Sequence, residues 1–404
     1  MKRVIIKGMR VIGVGLLLGA TTSGCSDADS SETYFDYCDP SVPADECYAL
    51  RRDPESDRVA LASEIALRYM QSHPVEAEIW DWRSGVLMFS LTELYRVTGD
   101  PRFRDYYQAW LDYWISEGYQ LIWSDSCPPA ITAVALLADD SSDDTDEQLA
   151  DYRRVIDDTL AYLDDDAQRT KEGGISHYGI FGGFPSVWLD SLFMFGMVLN
   201  RWGELPDNED RLDMMEEQVL IFADLLQDDN GFMRHATDWP GYDESVYWAR
   251  GNSWVVASLS DYLRIRIERG EEAAGVDSVF RNHVAAIASA QDATGLWWTV
   301  MDRPELADNY TETSASALFA YGMARAYRYG VLGDEEREAA QRSVQTILDE
   351  RIEDEGDGPV VTGTSTSTDP YTLEQYLNVP VEDDVNYGVG AVVLALIETS
   401  GLPD

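Results

Sequence analysis

The residues of this chain best suited to acid–base chemistry are two aspartates, Asp190 in VWLDSLFM and Asp125 in WSDS. Asp190 stands in an otherwise apolar stretch, where an unpaired carboxylate is costly unless it has a partner or a chemical task. A carboxyl group enclosed by aromatic rings is partly desolvated, which raises its pKa and keeps it protonated near neutral pH. Asp190 is therefore a candidate proton donor, with a structural role as the alternative.

Aromatic side chains accompany these acids, together with Arg250 and His235. Five tryptophans stand at or near the same segments: Trp82, Trp188, Trp239, Trp248 and Trp254. A single tryptophan on an apolar helix is more often part of a core than of a binding site. Five near one rim, beside an arginine and a histidine, favour a carbohydrate-binding pocket, because flat aromatic rings bind the faces of sugars.

The elements that must position these residues are helices. From Asp57 onward, apolar residues recur at three- and four-residue spacing, separated by Gly, Pro and Asp clusters. The pattern predicts twelve helices, over 57–72, 84–97, 101–117, 126–138, 145–164, 185–202, 208–227, 252–268, 276–290, 312–329, 334–351 and 386–401. The odd-numbered helices carry one apolar stripe, and the even-numbered ones are apolar nearly all round. Six outer and six inner helices predict an all-α fold, an (α/α)6 barrel over residues 57–404.

Polar and aromatic clusters lie at the start of each predicted inner helix. They are WDWRSG (80–85), WSDS (123–126), VWLDS (187–191), WARGNSW (248–254), YTETS (310–314) and EDDVNYG (382–388). Parallel inner helices open their N-termini on one face of a barrel, so we expect the six clusters to converge in one pocket. Asp125 and Asn252 are also suitable helix caps. Capping does not account for the tryptophans.

Composition excludes some classes of partner. The chain has 74 acidic and 30 basic residues and a formal net charge of −44. Nucleic acid is excluded as a partner because its phosphates would be repelled. The same field repels an anionic sugar at long range, so we interpret the acidic surface as a solvated shell that favours solubility. The four histidines and four cysteines lack metal-site spacing, which predicts no metal site.

The N-terminal residues predict an export signal over 1–24. Lys2, Arg3, Lys7 and Arg10 precede the apolar run VIGVGLLLG, and small residues follow up to Cys25. A cleavage site that ends at cysteine resembles a bacterial lipoprotein signal, with simple secretion as the alternative. We expect an exported protein, lipid-anchored to the bacterial envelope or periplasmic, whose membrane contact is made only through a lipid on Cys25.

Residues 25–56 are polar and acidic with little periodicity, and we interpret them as a tether and lead-in. Cys38 and Cys47 could close a small loop through a disulfide there, which would leave Cys127 single. After the signal, no apolar stretch is long enough to cross a membrane. The sequence thus predicts a signal, a tether and one catalytic domain.

Three strings, VWLDSLFM, WARGNSW and LWWTVMDRPELADNYTETSASALFAYGMARA, resemble those of glycoside hydrolase family 105. That family comprises the unsaturated rhamnogalacturonyl and glucuronyl hydrolases related to family 88. The resemblance extends from about residue 57 to the C-terminal NYGVGAVVLA, and its most specific part covers 296–326. It implies an (α/α)6 barrel, no cofactor or metal, and a small oligosaccharide substrate with an unsaturated uronyl end.

The resemblance also implies a reaction unlike ordinary glycoside hydrolysis. An acid protonates C4 of the C4=C5 double bond, water adds at C5, and the hemiketal opens and expels the rest of the sugar. Asp190 would be the acid and base, because the two events are sequential. Asp125 would hold sugar hydroxyls and keep Asp190 protonated by like-charge proximity. His235, in GFMRHATDW, matches a histidine that contacts the substrate near the reacting carbons.

Six residues are predicted to bind the sugar: Trp82, Trp188, Trp248, Arg250, Asn252 and Trp254. Three of them, Trp248, Arg250 and Trp254, match the family's WxRGNxW segment and would frame the uronate ring. Arg250 is a natural partner for the sugar carboxylate, since a guanidinium matches a carboxylate geometrically. Its alternative partner is a carboxylate of the protein itself.

Two other functions remain open from the residues. An inverting glycosidase on the same barrel would act on saturated sugars with an acid and a base carboxylate, which Asp190 with Asp125 or Glu312 could supply. The other is a surface lipoprotein that binds glycans without turning them over. The source polysaccharide is also open, because pectin's rhamnogalacturonan and algal glucuronans both yield suitable unsaturated ends.

Overall fold

Helices dominate the computed structural model, which describes residues 51–139, 142–181, 183–354 and 356–403. In chain order they are α1 (Asp57–Ser72), α2 (Trp82–Thr98), α3 (Pro101–Glu117), α4 (Pro129–Leu137), α5 (Asp146–Ala161), α6 (Ser191–Met194), α7 (Gly196–Gly203), α8 (Asp210–Leu226), α9 (Ala249–Glu268), α10 (Ala274–Ser289), α11 (Thr313–Arg328), α12 (Asp334–Glu350), α13 (Leu373–Leu377) and α14 (Asn386–Thr399). The predicted export signal, Cys25 and the Cys38–Cys47 pair lie outside the described residues.

Short elements connect the helices. The 3₁₀ turns Val75–Ala77 and Ser124–Ser126 precede α2 and α4, and the π-helical turn Tyr162–Asp166 follows α5. Three antiparallel two-stranded ribbons complete the described part: β1 (Ile180–Phe181) with β2 (Phe184–Pro185), β3 (Ile352–Asp354) with β4 (Pro359–Val361), and β5 (Thr364–Ser365) with β6 (Val381–Glu382). These ribbons lie in the loops between helices.

Each of the twelve predicted helices is present, and the predicted division into outer and inner helices is confirmed. The inner helices α2, α4, α7, α9, α11 and α14 each contact the next one around the ring, and α14 packs on α2 to close it. The outer helices α1, α3, α5, α8, α10 and α12 pack against this ring. The protein is therefore an (α/α)6 barrel.

Two glycines show how closely the inner helices approach. A Cβ on Gly322 of α11 would lie 2.8 Å from the backbone oxygen of Val256 in α9. A Cβ on Gly390 of α14 would lie 3.0 Å from the backbone oxygen of Val86 in α2. Only glycine fits such backbone contacts, which explains why the sequences of the inner helices are rich in small residues.

One boundary prediction was wrong. The sequence predicts a helix from residue 185, whereas α6 begins at Ser191. The segment before α6 pairs antiparallel at Trp188 with the segment that carries His235: the Thr237 N–H donates to Val187 O, and the Leu189 N–H donates to His235 O. Leu189 and Asp190 then form a turn that leads into α6. The apolar pattern of this segment is compatible with a helix or with a non-helical paired segment. Pairing with the segment that carries His235 therefore decides the conformation.

The ends of the inner helices opposite the pocket described below hold a buried network of charges. Arg325 of α11 lies 2.8 Å from Glu93, 2.6 Å from Asp261 and 2.9 Å from Glu398, and Arg201 lies 3.0 Å from Asp261. All five side chains are buried. The network joins five inner helices, α2, α7, α9, α11 and α14, because each carboxylate is shared by several guanidinium groups.

The predicted lead-in ends against this network. Arg52 lies 3.2 Å from Glu93, and the Asp53 N–H donates to Ser400 Oγ at 3.0 Å. Cys127 is buried and free. Within the described ranges, no helix is both long and apolar enough to cross a membrane.

Candidate active site

A pocket opens where the N-terminal ends of the inner helices meet. Its walls come from the starts of α2, α4, α6 and α9 and from the loop before α13. The lining residues are Trp82, Asp125, His177, Tyr178, Trp188, Asp190, Met194, Trp248, Arg250, Trp254, Ser367, Thr368 and Asp369. Four of the six predicted motif clusters therefore converge in one pocket, and the clusters at 310–314 and 382–388 do not line it.

The other two clusters, at 310–314 and 382–388, contact residues that form the walls of the pocket. Glu312, the first residue before α11, is a buried helix cap whose carboxylate accepts from the backbone N–H groups of Ala315 and Ser365. Tyr387, at the start of α14, packs its ring against Trp82 with centroids 4.7 Å apart. Glu312 is thus fully engaged as a structural acceptor, which removes it as a candidate catalytic carboxylate.

Asp190 belongs to a chain of three polar groups. Its Oδ2 lies 3.1 Å from His235 Nε2, and His235 Nδ1 lies 2.7 Å from the Tyr376 hydroxyl. The backbone N–H of His235 donates to the Tyr242 hydroxyl at 2.7 Å. His235 is completely buried. Both ring nitrogens and the backbone of His235 are thus fixed, and Nε2 faces the candidate acid.

Asp125 stands in a second chain of the same kind. Its Oδ1 lies 3.3 Å from His177 Nε2, and His177 Nδ1 lies 2.9 Å from Ser191 Oγ. The Tyr178 hydroxyl donates to Asp125 Oδ2 at 2.8 Å. Each candidate carboxylate therefore has its own imidazole, and each imidazole has its own hydroxyl group.

The ring of Trp188 separates the two imidazoles. It stacks on His177 with centroids 4.3 Å apart, and it meets His235 edge-on at 5.3 Å. Trp248 covers the other face of the site, stacked on His235 at 4.4 Å. Trp239 packs against Trp188 at 4.7 Å. Such packing fixes ring orientations, so the polar atoms of the site are preorganised.

The predicted pKa of Asp190 was wrong in direction. Burial does raise the pKa of its carboxyl group, but attraction and hydrogen bonding from His235, with a smaller effect of His177, lower it below the usual range. Burial also lowers the pKa of the His235 imidazole. The imidazoles, rather than Asp125, dominate the electrostatics around Asp190. The surrounding protein groups therefore favour an ionised Asp190 beside a neutral His235 at neutral pH.

Arg250 lines the pocket, but its guanidinium is already engaged. It donates to Ser365 O and to Thr366 O, each at 2.7 Å, and to Thr368 Oγ1 at 3.1 Å. It also contacts the Ser365 hydroxyl and lies 3.8 Å from Glu312. Arg250 thus fixes the loop that forms one wall of the pocket through its two terminal nitrogens, while its Nε has no hydrogen-bond partner among the described residues. Its pairing with the sugar carboxylate stays a prediction.

Asn252 does not reach the pocket, so its prediction as a sugar ligand is corrected. It is fully buried, accepts from the Met233 N–H at 3.0 Å, and donates to Met233 O at 3.0 Å and to Trp248 O at 2.8 Å. These bonds use the whole amide group. Asn252 instead anchors the strand-like segment that leads to His235.

Several pocket residues escaped the sequence analysis. His177 and Tyr178 lie in a loop between α5 and α6, and Ser367, Thr368 and Asp369 lie in the loop that Arg250 holds. Desolvation at the pocket raises the pKa of Asp369, and the charges of Asp125 and Asp190 add to this effect. The sequence offered little indication of these loop residues, because loops show no periodic spacing of apolar residues. A histidine next to a tyrosine in a glycine-rich stretch was the only hint.

The side chains of His, Cys, Asp and Glu in the described part of the chain are potential metal ligands. Among them, no group of three or more His, Cys, Asp and Glu residues is placed to hold an ion. The chemistry available to these residues is acid–base chemistry, because two carboxylates with buried imidazole partners and a third carboxylate face one aromatic pocket.

Comparison with known proteins identifies the family to which the chain belongs. Residues 59–402 match the sequence profile of Glycosyl Hydrolase Family 88. The unsaturated rhamnogalacturonyl hydrolase YesR of Bacillus subtilis is 27% identical over 331 residues, covering 79% of this chain and 89% of YesR. An unsaturated 3S-rhamnoglycuronyl hydrolase of Formosa agariphila is 24% identical over 219 residues, covering 52% of this chain and 56% of its own.

Solved structures agree on the fold. A glycoside hydrolase from family 105 of C. acetobutylicum superposes with a TM-score of 0.76 at 21% identity, over 85% of this chain and 99% of its own. The unsaturated glucuronyl hydrolase of Bacillus sp. GL1 superposes with a TM-score of 0.65 at 17% identity, over 84% and 95%. The resemblance inferred from the motifs is confirmed. This (α/α)6 barrel is a glycoside hydrolase, and the chain belongs to glycosyl hydrolase family 88.

Proposed function

We propose that this hydrolase removes a 4,5-unsaturated uronic acid from the non-reducing end of oligosaccharides released by polysaccharide lyases. The observation that carries the proposal is the 3.1 Å approach of Asp190 to a buried imidazole inside a tryptophan-walled pocket. The names of relatives support the substrate class, since YesR is an unsaturated rhamnogalacturonyl hydrolase.

The proposed reaction begins at Asp190. Its carboxylic acid gives a proton to C4, a water oxygen bonds to C5, and the water's proton returns to the Asp190 carboxylate. The hemiketal formed at C5 opens by cleavage of its bond to the ring oxygen, which leaves a ketone at C5 and a hemiacetal at C1. The hemiacetal expels the remaining sugar as an alcohol and becomes an aldehyde. One water molecule is consumed in total.

Substrate binding provides the protonated acid. Among the protein's own groups, the imidazoles hold the pKa of Asp190 below its usual range. A bound uronate brings a negative charge and displaces water, and both effects raise the pKa of a neighbouring carboxyl group. The acid is thus formed in the complex with an anionic sugar, which adds a reason for the enzyme to require a uronate.

The other pocket residues bind and orient the ring. Trp188 and Trp248 form the walls next to Asp190, while Asp125, held by Tyr178 and His177, is placed to accept hydrogen bonds from sugar hydroxyls. The hydroxyls of Ser367 and Thr368 lie on the loop held by Arg250. The Thr368 hydroxyl already donates to Thr366 O. We therefore assign the Ser367 hydroxyl and Arg250 Nε, which has no hydrogen-bond partner among the described residues, to the substrate carboxylate.

Ultraviolet absorbance tests the reaction class, because the conjugated double bond of an unsaturated uronide disappears on turnover. We expect absorbance to fall as the released sugar appears, with lyase digests of pectin rhamnogalacturonan and of algal glucuronan as the substrate panel. Release of sugar without loss of absorbance would indicate an inverting glycosidase instead. No turnover of any lyase product would exclude the proposal.

Asp190→Asn tests the acid. We expect kcat to fall by about 10² to 10⁴-fold, while binding of the oligosaccharide persists. The matched control is Asp224→Asn, which changes an exposed aspartate on the outer helix α8. A variant that keeps a tenth of the rate would remove Asp190 from the role of acid.

Export is the remaining part of the proposal, and it rests on the N-terminal sequence alone. We propose that residues 1–24 are removed and that Cys25 carries a lipid. Mass spectrometry of the mature protein from its bacterial host would show an acylated N-terminal Cys25. An unmodified mature terminus would indicate simple secretion.

A further inference from the structure

Three carboxylates line the pocket, and the protein provides partners for two of them. Asp125 lies 2.8 Å from the Tyr178 hydroxyl and 3.3 Å from an imidazole, and Asp190 lies 3.1 Å from a second imidazole. Within the described ranges of the chain, no group donates a hydrogen bond to the Asp369 side chain or forms an ion pair with it. Asp369 is also exposed, so its carboxyl group is available to a ligand in the pocket.

Asp369 lies on the loop that Arg250 holds through Thr366 O at 2.7 Å and Thr368 Oγ1 at 3.1 Å. The guanidinium Nε and the Ser367 hydroxyl, which we assign to the substrate carboxylate, belong to the same wall of the pocket. Asp369 follows Ser367 by two residues. A uronate whose carboxylate contacts this wall therefore brings its negative charge close to the Asp369 side chain.

The groups around Asp369 decide whether such an approach is tolerated. The titratable and charged groups that surround it are Asp125, His177, Tyr178, Asp190, His235 and Arg250. Desolvation raises the pKa of Asp369, the two imidazoles oppose this effect, and the charges of Asp125 and Asp190 add to it. A bound uronate adds a negative charge and covers the carboxyl group, and both changes raise the pKa of Asp369 again. Protonation of Asp369 would remove its repulsion of the sugar.

We propose that Asp369 recognises the uronate as a neutral carboxylic acid, which donates its proton in a hydrogen bond to the carboxylate of the sugar. The proposal rests on the proposed function, because a uronate must occupy the pocket. Where Asp369 is ionised in the free enzyme, binding takes up one proton from the solvent. Affinity for the uronate should therefore fall as the pH rises, since the neutral form of Asp369 becomes scarce. Asp190 remains the proton donor to C4.

Binding to the Asp190→Asn variant tests this role, because that variant removes both turnover and the titration of Asp190. The probe is the unsaturated disaccharide from a polysaccharide lyase digest. Titration calorimetry gives its Kd, and buffers of different ionisation enthalpy give the number of protons taken up. At pH values above the usual titration range of carboxyl groups, we expect Kd to rise about tenfold per pH unit, with about one proton taken up per sugar bound.

Two substitutions at Asp369 in this background separate the proton from the hydrogen bond. Asparagine keeps a donor but does not titrate, so Asp369→Asn should bind the disaccharide with a Kd that varies little with pH and without the uptake of a proton. Alanine has no donor, so Asp369→Ala should bind about tenfold more weakly than Asp369→Asn. The matched control is Asp308→Asn, an exposed loop aspartate outside the pocket, which should leave the pH dependence unchanged.

The methyl ester of the disaccharide isolates the charge of the uronate. It needs no neutral Asp369, so its Kd for the Asp190→Asn variant should vary little with pH. An equally steep rise of Kd with pH in Asp369→Asn would overturn the proposal. A Kd of the acid form that falls as the pH rises would overturn it as well, and would make Asp369 an ionised acceptor for sugar hydroxyls. Failure of the unmodified enzyme to turn over a disaccharide that binds as expected would instead contradict the proposed function.

Discussion

Asp190 Oδ2 and His235 Nε2 lie 3.1 Å apart, and neither buried atom has another hydrogen-bonding side chain in the part of the chain that the structure describes. Buried polar atoms are normally satisfied, and exceptions concentrate at functional sites. This pair determines the protonation of the site, because each group alters the pKa of the other. The first two predictions concern it.

The first prediction concerns pH and His235. Its imidazole opposes the effect of burial and lowers the pKa of Asp190. In His235→Gln the lowering effect of the imidazole is lost, so burial should raise the pKa of Asp190. A general acid is active below its pKa, so the high-pH decline of kcat/KM should move to higher pH. Profiles of kcat/KM report the free enzyme and are the measurement.

The matched control is His73→Gln. His73 stacks on Tyr69 at 4.0 Å and does not line the pocket. Its profile should coincide with that of the unmodified enzyme. A shift of the His235→Gln decline to lower pH would contradict the sign argued above.

The second prediction concerns Tyr376 as a positioning residue. Its hydroxyl lies 2.7 Å from His235 Nδ1 and fixes which ring nitrogen faces Asp190. Tyr376→Phe should lower kcat about tenfold with a smaller change in KM, and it should also shift the pH profile. Tyr371→Phe, in the same apolar cluster, is the control. A fall in thermal stability without a change in the pH profile would assign Tyr376 a purely structural role.

The third prediction concerns Arg250 and the loop at 365–368. Lysine keeps the charge but cannot donate to Ser365, Thr366 and Thr368 together, as the guanidinium does. Arg250→Lys should raise KM more than it lowers kcat, because the loop wall loosens. Hydrogen exchange of this loop should become faster. Normal exchange combined with a raised KM would favour direct pairing of Arg250 with the substrate.

The fourth prediction concerns the buried charge network. Burial raises the pKa of Glu93, Asp261 and Glu398, but the surrounding guanidinium groups lower all three below their usual values. Depressed carboxyl pKa values contribute to the free energy of unfolding above their unfolded values of about 4, and that contribution is lost as the pH falls through the folded values. Acid should therefore destabilise the barrel.

Arg325→Met tests this network directly. It leaves buried carboxylates without their shared partner and should lower the free energy of unfolding by about 3–5 kcal/mol at pH 7. The loss should shrink as the pH falls, since protonated carboxyl groups need no counter-ion. Denaturant unfolding at several pH values is the measurement. Arg102→Met, at an exposed pair with Asp100, is the control. A loss that does not vary with pH would point to packing rather than charge.

Much of the architecture was predictable because it depends on the local periodicity of apolar residues. All twelve helices and their alternation between outer and inner positions follow from three- and four-residue spacing of apolar residues. The closeness of the inner helices follows from residues such as Gly322 and Gly390. Convergence of the motifs then follows from geometry, because the inner helices share one direction.

The fine chemistry of the site was not predictable in this way. His177, Asp369 and Tyr376 come from loops and a short helix, whose positions depend on contacts far along the chain. Asp190 and His235 are brought together by the antiparallel pairing of two segments around Trp188 and Ala236. The apolar pattern of the first segment predicts a helix. The direction of the Asp190 pKa depends on those contacts.

The sequence by itself determined the barrel, the family and the identity of the candidate acid, because each depends on local patterns or on contiguous motifs. Only the tertiary structure decided that Asp190 shares its site with an imidazole, that Arg250 holds a loop and that Asn252 is an anchor. The physical reason is that pKa values and hydrogen-bond partners depend on neighbours within a few ångströms, and those neighbours are up to 141 residues away along the chain.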